Sequence, residues 1–277
     1  MMDYHTHSRF CGHAEGGLEE FVLAAIERGL DEIGFSAHLP KVVDPDPYHA
    51  MLEERLPEYV ALAGRLRGEY AGRIVIRLGI EADYFPGYED RTRKLLESQP
   101  FDYVYGALHF LGDWCFTSKA GLPRYALEDP EDVFPRYFEM LQKMISTGLF
   151  DILAHPDAIR RVDFFPESPL DGYYEKVARL LAENAMAVEL NTGGIRRGLG
   201  SPYPQPPFLA ACVREGVPVT LGSDAHRPED VARDFDRAFD FLSEAGVSSL
   251  AAWEGRRMIM RPISTLRAAG RRDGEPA

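Results

Sequence analysis

Two hydrophobic patterns take turns along this chain: short apolar runs of strand length, and apolar positions recurring at three- and four-residue intervals. Asp3–His7 opens the series as a short strand. Leu18, Phe21, Val22, Ala25 and Ile26 then mark a helix within Gly17–Arg28 that stops at Gly29. Further strands are predicted over Glu32–Ala37, Arg73–Ile80, Asp102–Leu108, Asp151–Ala154, Met186–Leu190 and Val217–Leu221. Helices over Ala50–Tyr70, Tyr88–Ser98, Pro130–Thr147, Leu170–Asn184, Pro207–Glu215 and Pro228–Ala245 follow them in turn. Seven strand–helix units in a row predict a parallel sheet with right-handed crossovers, best accommodated by a closed or nearly closed α/β barrel. Leu111–Asp129 reads as a long polar loop without internal structure, the kind that forms a lid or wall over a site. Trp253–Ile263 is a weaker segment. No linker, repeat or low-complexity tract divides the chain, so residues 1–263 are expected to form one domain and residues 264–277 a flexible tail.

Composition narrows the classes. At 277 residues and 45% hydrophobic, the chain can bury one large core. No apolar run approaches the roughly 18 residues that suggest a membrane span, and the N-terminus lacks the basic-then-apolar pattern of an export signal. The expectation is a cytoplasmic protein with no membrane partner. Cys11, Cys115 and Cys212 are odd in number and far apart, which describes free thiols rather than a disulfide framework. A net charge of −13 argues against nucleic acid as a partner. An anionic substrate would then need a locally positive site, such as bound metal. Nothing in the sequence fixes the oligomeric state.

The chemistry lies where the strands end. Of eight histidines, His5, His7, His13, His38, His109, His155 and His226 fall at or just after a predicted strand, joined there by Glu81 and Asp224. His5 and His7, two apart on a strand, point to the same side. In a barrel all these strand ends converge on one face, so nine nitrogen and oxygen donors would meet in one pocket. One histidine after a strand is usually just a hydrogen-bonded residue; seven without partners would be a costly way to bury polar groups. A donor set rich in imidazole and carboxylate suits two or three divalent Zn, Mn or Fe ions rather than Ca or Mg. Such ions favour hydrolysis of a phosphoester, with Asp224, Glu81 and His226 at the catalytic centre.

Other polar residues carry two readings. Arg196 and Arg197, in a glycine-containing loop, and Arg160 and Arg161 are either exposed basic pairs or a phosphate grip. Asp83 and Glu15 read as solvated carboxylates, with orientation of a ligand or capture of an ammonium as the alternative. His49 reads as a surface residue and Cys11 as a packed thiol.

The segments D-Y-H-T-H-S, C-G-H-A-E-G, L-G-I-E-A-D-Y, G-A-L-H-F-L-G, A-H-P-D, L-N-T-G-G-I-R-R and L-G-S-D-A-H, in that order from Met1 to about Glu244, together resemble the polymerase and histidinol phosphatase (PHP) superfamily. C-G-H-A, G-I-E-A-D-Y and N-T-G-G-I-R-R are similar to its histidinol-phosphatase branch. The resemblance implies a distorted (β/α)7 barrel and a trinuclear centre: His5, His7, Glu81 and Asp224 on one metal, Glu81 bridging to a second held by His109 and His155, and His13, His38 and His226 on the third. It also implies that arginines such as Arg160 and Arg197 grip phosphate, with the choice within each pair left open. Ala37 departs from the pattern, since relatives usually carry an acidic residue there, a change that removes a partner for the metal ligands. The implied activity is hydrolysis of L-histidinol phosphate to L-histidinol and phosphate in histidine biosynthesis. Alternatives are another small phosphate ester such as a nucleotide or phosphotyrosine, a metal-dependent amidohydrolase, which would want a carboxylated lysine where Glu81 stands, and a non-catalytic metal-binding protein.

Overall fold

The computed structural model describes residues 1–44 and 46–269, the last three by their backbone alone. Its strands are β1 (Met2–Asp3), β2 (Glu32–Phe35), β3 (Val75–Asp83), β4 (Tyr103–Ala107), β5 (Phe110–Leu111), β6 (Trp114–Cys115), β7 (Ile152–Leu153), β8 (Ala187–Asn191), β9 (Val219–Gly222), β10 (Ser249–Glu254) and β11 (Arg257–Pro262). Its helices are α1 (Leu18–Glu27), α2 (Leu56–Glu69), α3 (Glu89–Glu97), α4 (Pro130–Ile145), α5 (Asp171–Glu183), α6 (Gly193–Arg196), α7 (Pro206–Arg214), α8 (Phe235–Glu244) and α9 (Ile263–Ala269). Seven strands pair in parallel in the order β1-β2-β3-β4-β7-β8-β9. Beyond β1 the chain runs alongside the end of β9: Tyr4 N–H donates to the Leu221 carbonyl at 3.1 Å and His7 N–H to that of Ala225 at 2.8 Å. These bonds bring the first and last strands together at the end of the ring where His5 and His7 lie, as the seven strand–helix repeats predicted.

A parallel sheet wrapped by helices is dry on both faces, which is why these strands read as predominantly apolar runs. Tyr103 fills the barrel interior and donates its hydroxyl to the carbonyls of Tyr4 at 2.7 Å and Phe35 at 3.1 Å. Gly34 and Gly79 make room for that side chain; a Cβ would lie 2.2 Å from its hydroxyl at Gly34 and 2.2 Å from its ring at Gly79. Below, Glu32 accepts from Tyr4 and Arg77, each at 2.6 Å, so the strand beginnings are plugged by a satisfied polar cluster.

Several boundaries differ from the expectations. β3 continues to Asp83 because β4 keeps pairing with it as far as Ala107, which puts Glu81 and Asp83 inside the strand instead of after it. Asp3–His7 is extended, but its ladder is short, with Thr6 bridging Ala225. The stretch Leu111–Asp129, expected as an unstructured loop, holds most of the β5–β6 hairpin and a 3-10 helix, Leu122–Leu127. Trp114 packs edge-on to Tyr125 with ring centroids 4.7 Å apart, which gives this insertion a small core of its own. The helix expected over Pro228–Ala245 is a 3-10 turn, Pro228–Asp230, and α8, separated where Ala232 and Asp234 adopt left-handed backbone. Of Trp253–Ile263, all but Ile263, which opens α9, belongs to the antiparallel β10–β11 pair, which docks on the barrel through Thr220 and Tyr4. The expected tail from 264 begins inside α9; residues 270–277 lie outside the described residues. Among the described residues no helix is long and apolar enough to cross a membrane.

Candidate metal centre

The strand-end residues meet as their positions predict. His5 and His7 leave β1 on alternate positions and are both buried. Glu81 stands on β3 at the centre. His38 follows β2, and its backbone is clipped to β3, where Glu81 N–H donates to the Ala37 carbonyl at 3.0 Å and Leu39 N–H to that of Glu81 at 2.7 Å. His109 follows β4, His155 follows β7, and Asp224 and His226 follow β9. His13 arrives from the turn after β1. His155 and Asp224 have left-handed backbone, at φ 22° and 53°, a conformation unfavourable for side chains with a Cβ and one that recurs at functional sites.

Glu81 is the hub. Its Oε2 lies 3.0 Å from His38 Nδ1 and 3.4 Å from both His5 Nε2 and His7 Nε2. Its Oε1 lies 2.9 Å from His155 Nε2 and 3.7 Å from His109 Nε2. Asp224 Oδ1 is 3.3 Å from His7 Nε2 and 3.8 Å from His5 Nε2. His13 and His226 face each other, Nε2 to Nε2, at 3.0 Å, as His109 and His155 do at 3.2 Å. Two imidazole nitrogens that close need a proton or a cation between them.

The donor set fits divalent metal on the strength of its unpaired atoms. His5 Nε2, His7 Nε2, His38 Nδ1 and Glu81 Oε2 are buried and have no hydrogen-bond partner. Leaving such atoms bare costs about 1–3 kcal/mol each, and more for a charge, unless a cation takes them. His5–His7–Glu81, His38–Glu81–His109 and His7–His38–His226 each present three donor atoms close enough to share an ion. The protonation states agree. Burial opposes ionisation of Glu81 and Asp224, but the surrounding imidazoles, with Arg197 beside Asp224, hold both well below the usual carboxylate range. Burial first, then neighbouring imidazoles, lower His7 far below its ordinary value and His13 to about 3. Burial likewise lowers His226, to about 4 against the pull of Asp224. Ionised carboxylates beside the neutral imidazoles of His7, His13 and His226 are the forms that bind borderline cations, whereas His5, raised by Glu189 and Glu81 against its burial, must give up a proton to do so.

The cluster floors a cavity of about 540 Å³, a size suited to a small molecule. Arg161 and Arg197 line it; Arg160 and Arg196 do not. Arg160 is buried, pairs with Asp157 at 3.0 Å, lies over the Tyr203 ring and donates to the Pro202 carbonyl, so it is a structural residue here rather than the phosphate grip the resemblance implied. Arg196 is spent on the carbonyls of Ser223 and Asp224, at 2.9 and 2.8 Å, and thereby holds the turn that carries a ligand. Arg197 reaches Asp224 Oδ2 at 3.3 Å, and Arg161 donates to the Thr117 carbonyl, which ties the β5–β6 insertion to the site as a wall formed by Cys115 to Ala120.

Some side chains behave otherwise than expected. Asp83 is no solvated carboxylate: its Oδ1 lies 2.7 Å from His109 Nδ1 and fixes that ring. Glu15, by contrast, is exposed as expected and pairs with Arg227 at 2.6 Å. His49 lines the cavity mouth with Asp46 behind it at 2.8 Å. Cys11, buried as expected, touches the site: its Sγ is 3.3 Å from His7 Nδ1, and burial pushes its thiol up to about 12. Ala37 is buried, and the neighbouring Tyr59 hydroxyl bonds the Gly79 carbonyl. Glu189 was missed altogether; the signal available was a lone carboxylate in the apolar run Ala187-Val188-Glu189-Leu190.

A family model described as PHP domain matches residues 3–193. A Deinococcus radiodurans protein named "Probable histidinol-phosphatase" is 33% identical over 89% of this chain and 94% of its own. The "Histidinol-phosphatase" of Bacillus subtilis is 26% identical over 84% of this chain and 96% of its own. The crystal structure of a Lactococcus lactis histidinol phosphate phosphatase, complexed with zinc, L-histidinol and phosphate, has the same fold: TM-score 0.79, 23% identity, covering 93% of this chain and 98% of the other.

Proposed function

The chain belongs to the PHP domain family, and on that premise we propose that it is a metal-dependent histidinol-phosphatase, hydrolysing L-histidinol phosphate to L-histidinol and phosphate in histidine biosynthesis. The observation that carries the chemistry is the convergence of four partnerless buried atoms, His5 Nε2, His7 Nε2, His38 Nδ1 and Glu81 Oε2, in a cavity flanked by Arg161 and Arg197. The names of full-length relatives supply the substrate. Three unpaired cysteines accord with the cytoplasm as its compartment.

His5, His7, Glu81 and Asp224 would hold one ion, Glu81, His109 and His155 a second, and His13, His38 and His226 a third, with Zn, Mn and Fe all compatible. When bound, such ions supply positive charge for phosphoryl oxygens and acidify water for attack. The protein's own groups do the rest. Glu81 and Asp224 are ionised and keep the cation site intact, and Asp83 holds His109 in one orientation. The guanidiniums of Arg161 and Arg197 face the cavity and neutralise outer phosphoryl oxygens as charge builds on them. The insertion from Cys115 to Ala120 closes one side of the cavity against bulk water.

The test is turnover by purified protein, reconstituted with Mn, Zn or Fe, across histidinol phosphate, nucleotides, phosphotyrosine and sugar phosphates. Histidinol phosphate is expected to dominate. Preference for another ester would move the protein within the family, and inertness toward all of them would leave it a metal-binding protein.

A further inference from the structure

The fully buried carboxylate of Glu189, on β8, has one ionic partner among the described residues, the imidazole of His5. A carboxylate removed from water costs several kcal/mol after relaxation, so its surroundings must return that energy. Three donors converge on it. Oε1 lies 2.6 Å from His5 Nδ1, while Oε2 accepts from the backbone N–H of His155 at 2.9 Å and from Asn191 Nδ2 at 3.0 Å. Each donor leads to the site. His5 turns its other nitrogen, the partnerless Nε2, toward Glu81 and Asp224. His155 carries its ring against Glu81 at 2.9 Å, from a backbone at φ 22° that this hydrogen bond helps to hold. Asn191, its amide fixed by Glu189, accepts from Gly193 N–H at 2.8 Å at the start of α6, the short helix that Arg197 caps.

We propose that Glu189 is the positioning residue of the centre: it keeps the proton of His5 on Nδ1 so that Nε2 is free for metal, and through His155 and Asn191 it sets a second ligand and the phosphate-facing arginine from the same carboxylate. A carboxylate behind an imidazole raises the basicity of the far nitrogen and fixes its tautomer, and loss of such a partner costs about 10–100-fold in metal affinity. The position is closely fitted. A Cβ on Gly222 would fall 2.1 Å from Glu189 Oε1 and 2.5 Å from the Cβ of His5, so β9 must pass with a glycine for the pair to form. The inference rests on His5 being a metal ligand.

The experiment compares wild type, Glu189→Gln and His5→Ala in chelator competition for zinc, alongside thermal unfolding of each metal-free protein. Glu189→Gln is expected to lose about 10–100-fold in affinity while its metal-free midpoint stays at the wild-type value; a purely structural residue would lower the midpoint and leave the affinity alone. Wild-type affinity in a folded Glu189→Gln protein overturns the inference. Wild-type affinity in His5→Ala shows that the ligand assignment itself is wrong, and removes the inference with it. Should Glu189→Gln not fold, 15N NMR of zinc-loaded wild type labelled at histidine decides: a protonated Nδ1 on His5 supports the proposal, and a bare one rejects it.

Discussion

At the residue scale, the two arginine pairs show how one residue type at adjacent positions takes opposite roles. Arg160 faces into the protein against Asp157 and Tyr203, whereas Arg161, one residue on, faces the cavity. Arg160→Ala is therefore expected to destabilise the fold by about 3–5 kcal/mol, because it strands Asp157 as a buried charge; urea unfolding measures this. Arg197→Ala should cost less stability than Arg160→Ala, because Asp224 keeps its imidazole neighbours, yet lower kcat/KM by about 10²–10³, the scale of one lost donor to developing charge. Steady-state kinetics with both variants would expose a reversed assignment. Neither pair's division of labour is legible in the sequence, where R-R carries no direction. Asp83 was readable only in part: its place two after Glu81 on a strand puts both on one side, but its contact with His109 depends on the β3–β4 register.

At the scale of elements, the strand ends matter more than the strands. β7 has two residues and β1 two, yet each delivers a ligand, because the barrel fixes where the chain emerges rather than how long it has been paired. The glycines on these strands are spaces for particular neighbours. Gly222→Ala should push Glu189 and His5 apart, cutting zinc uptake by at least tenfold, on the order of a lost orienting partner; metal content after dialysis tests it, and full occupancy would contradict the packing argument. The helix expected from Ala50 begins as a 3-10 turn at Glu53–Arg55 and becomes α2 only at Leu56, whereas the boundaries of α4 and α5 came within two residues of the hydrophobic periodicity. The β5–β6 insertion did not, because its order comes from aromatic packing of Trp114, Phe116 and Tyr125 across a polar-looking stretch, which no periodicity records.

At the scale of the whole molecule, the centre joins the first residues to the last strand, so bound metal and the closure of the barrel are linked. Chelation should lower the melting temperature, by the equivalent of about 4 kcal/mol where free metal had stood at roughly 1,000 times its dissociation constant. A melting temperature indifferent to chelator would break the link. The metal-free protein should also lose stability in acid. His226 sits near 4 in the fold against an ordinary value of 6.5, so between those values the unfolded chain binds more protons and stability rises with pH. His7 and His13 are lowered in the same sense, while His5, raised by Glu189 and Glu81 despite burial, opposes them. Melting of chelated protein between about pH 4 and 6.5 checks the sign, and a midpoint that rises on acidification would refute it.

Much of this was settled by the order of residue types alone. Alternating runs and helical spacings set the seven strand–helix units, and donors placed at strand ends must share a rim once those strands run parallel in a ring. What the folded chain alone decided is which side chains look inward from that rim. The choice of Arg161 over Arg160, the clasp of Asp83 on His109 and the place of Glu189 behind His5 all depend on contacts between residues far apart in the chain. Periodicity assigns a face within one element; only packing between elements assigns a partner.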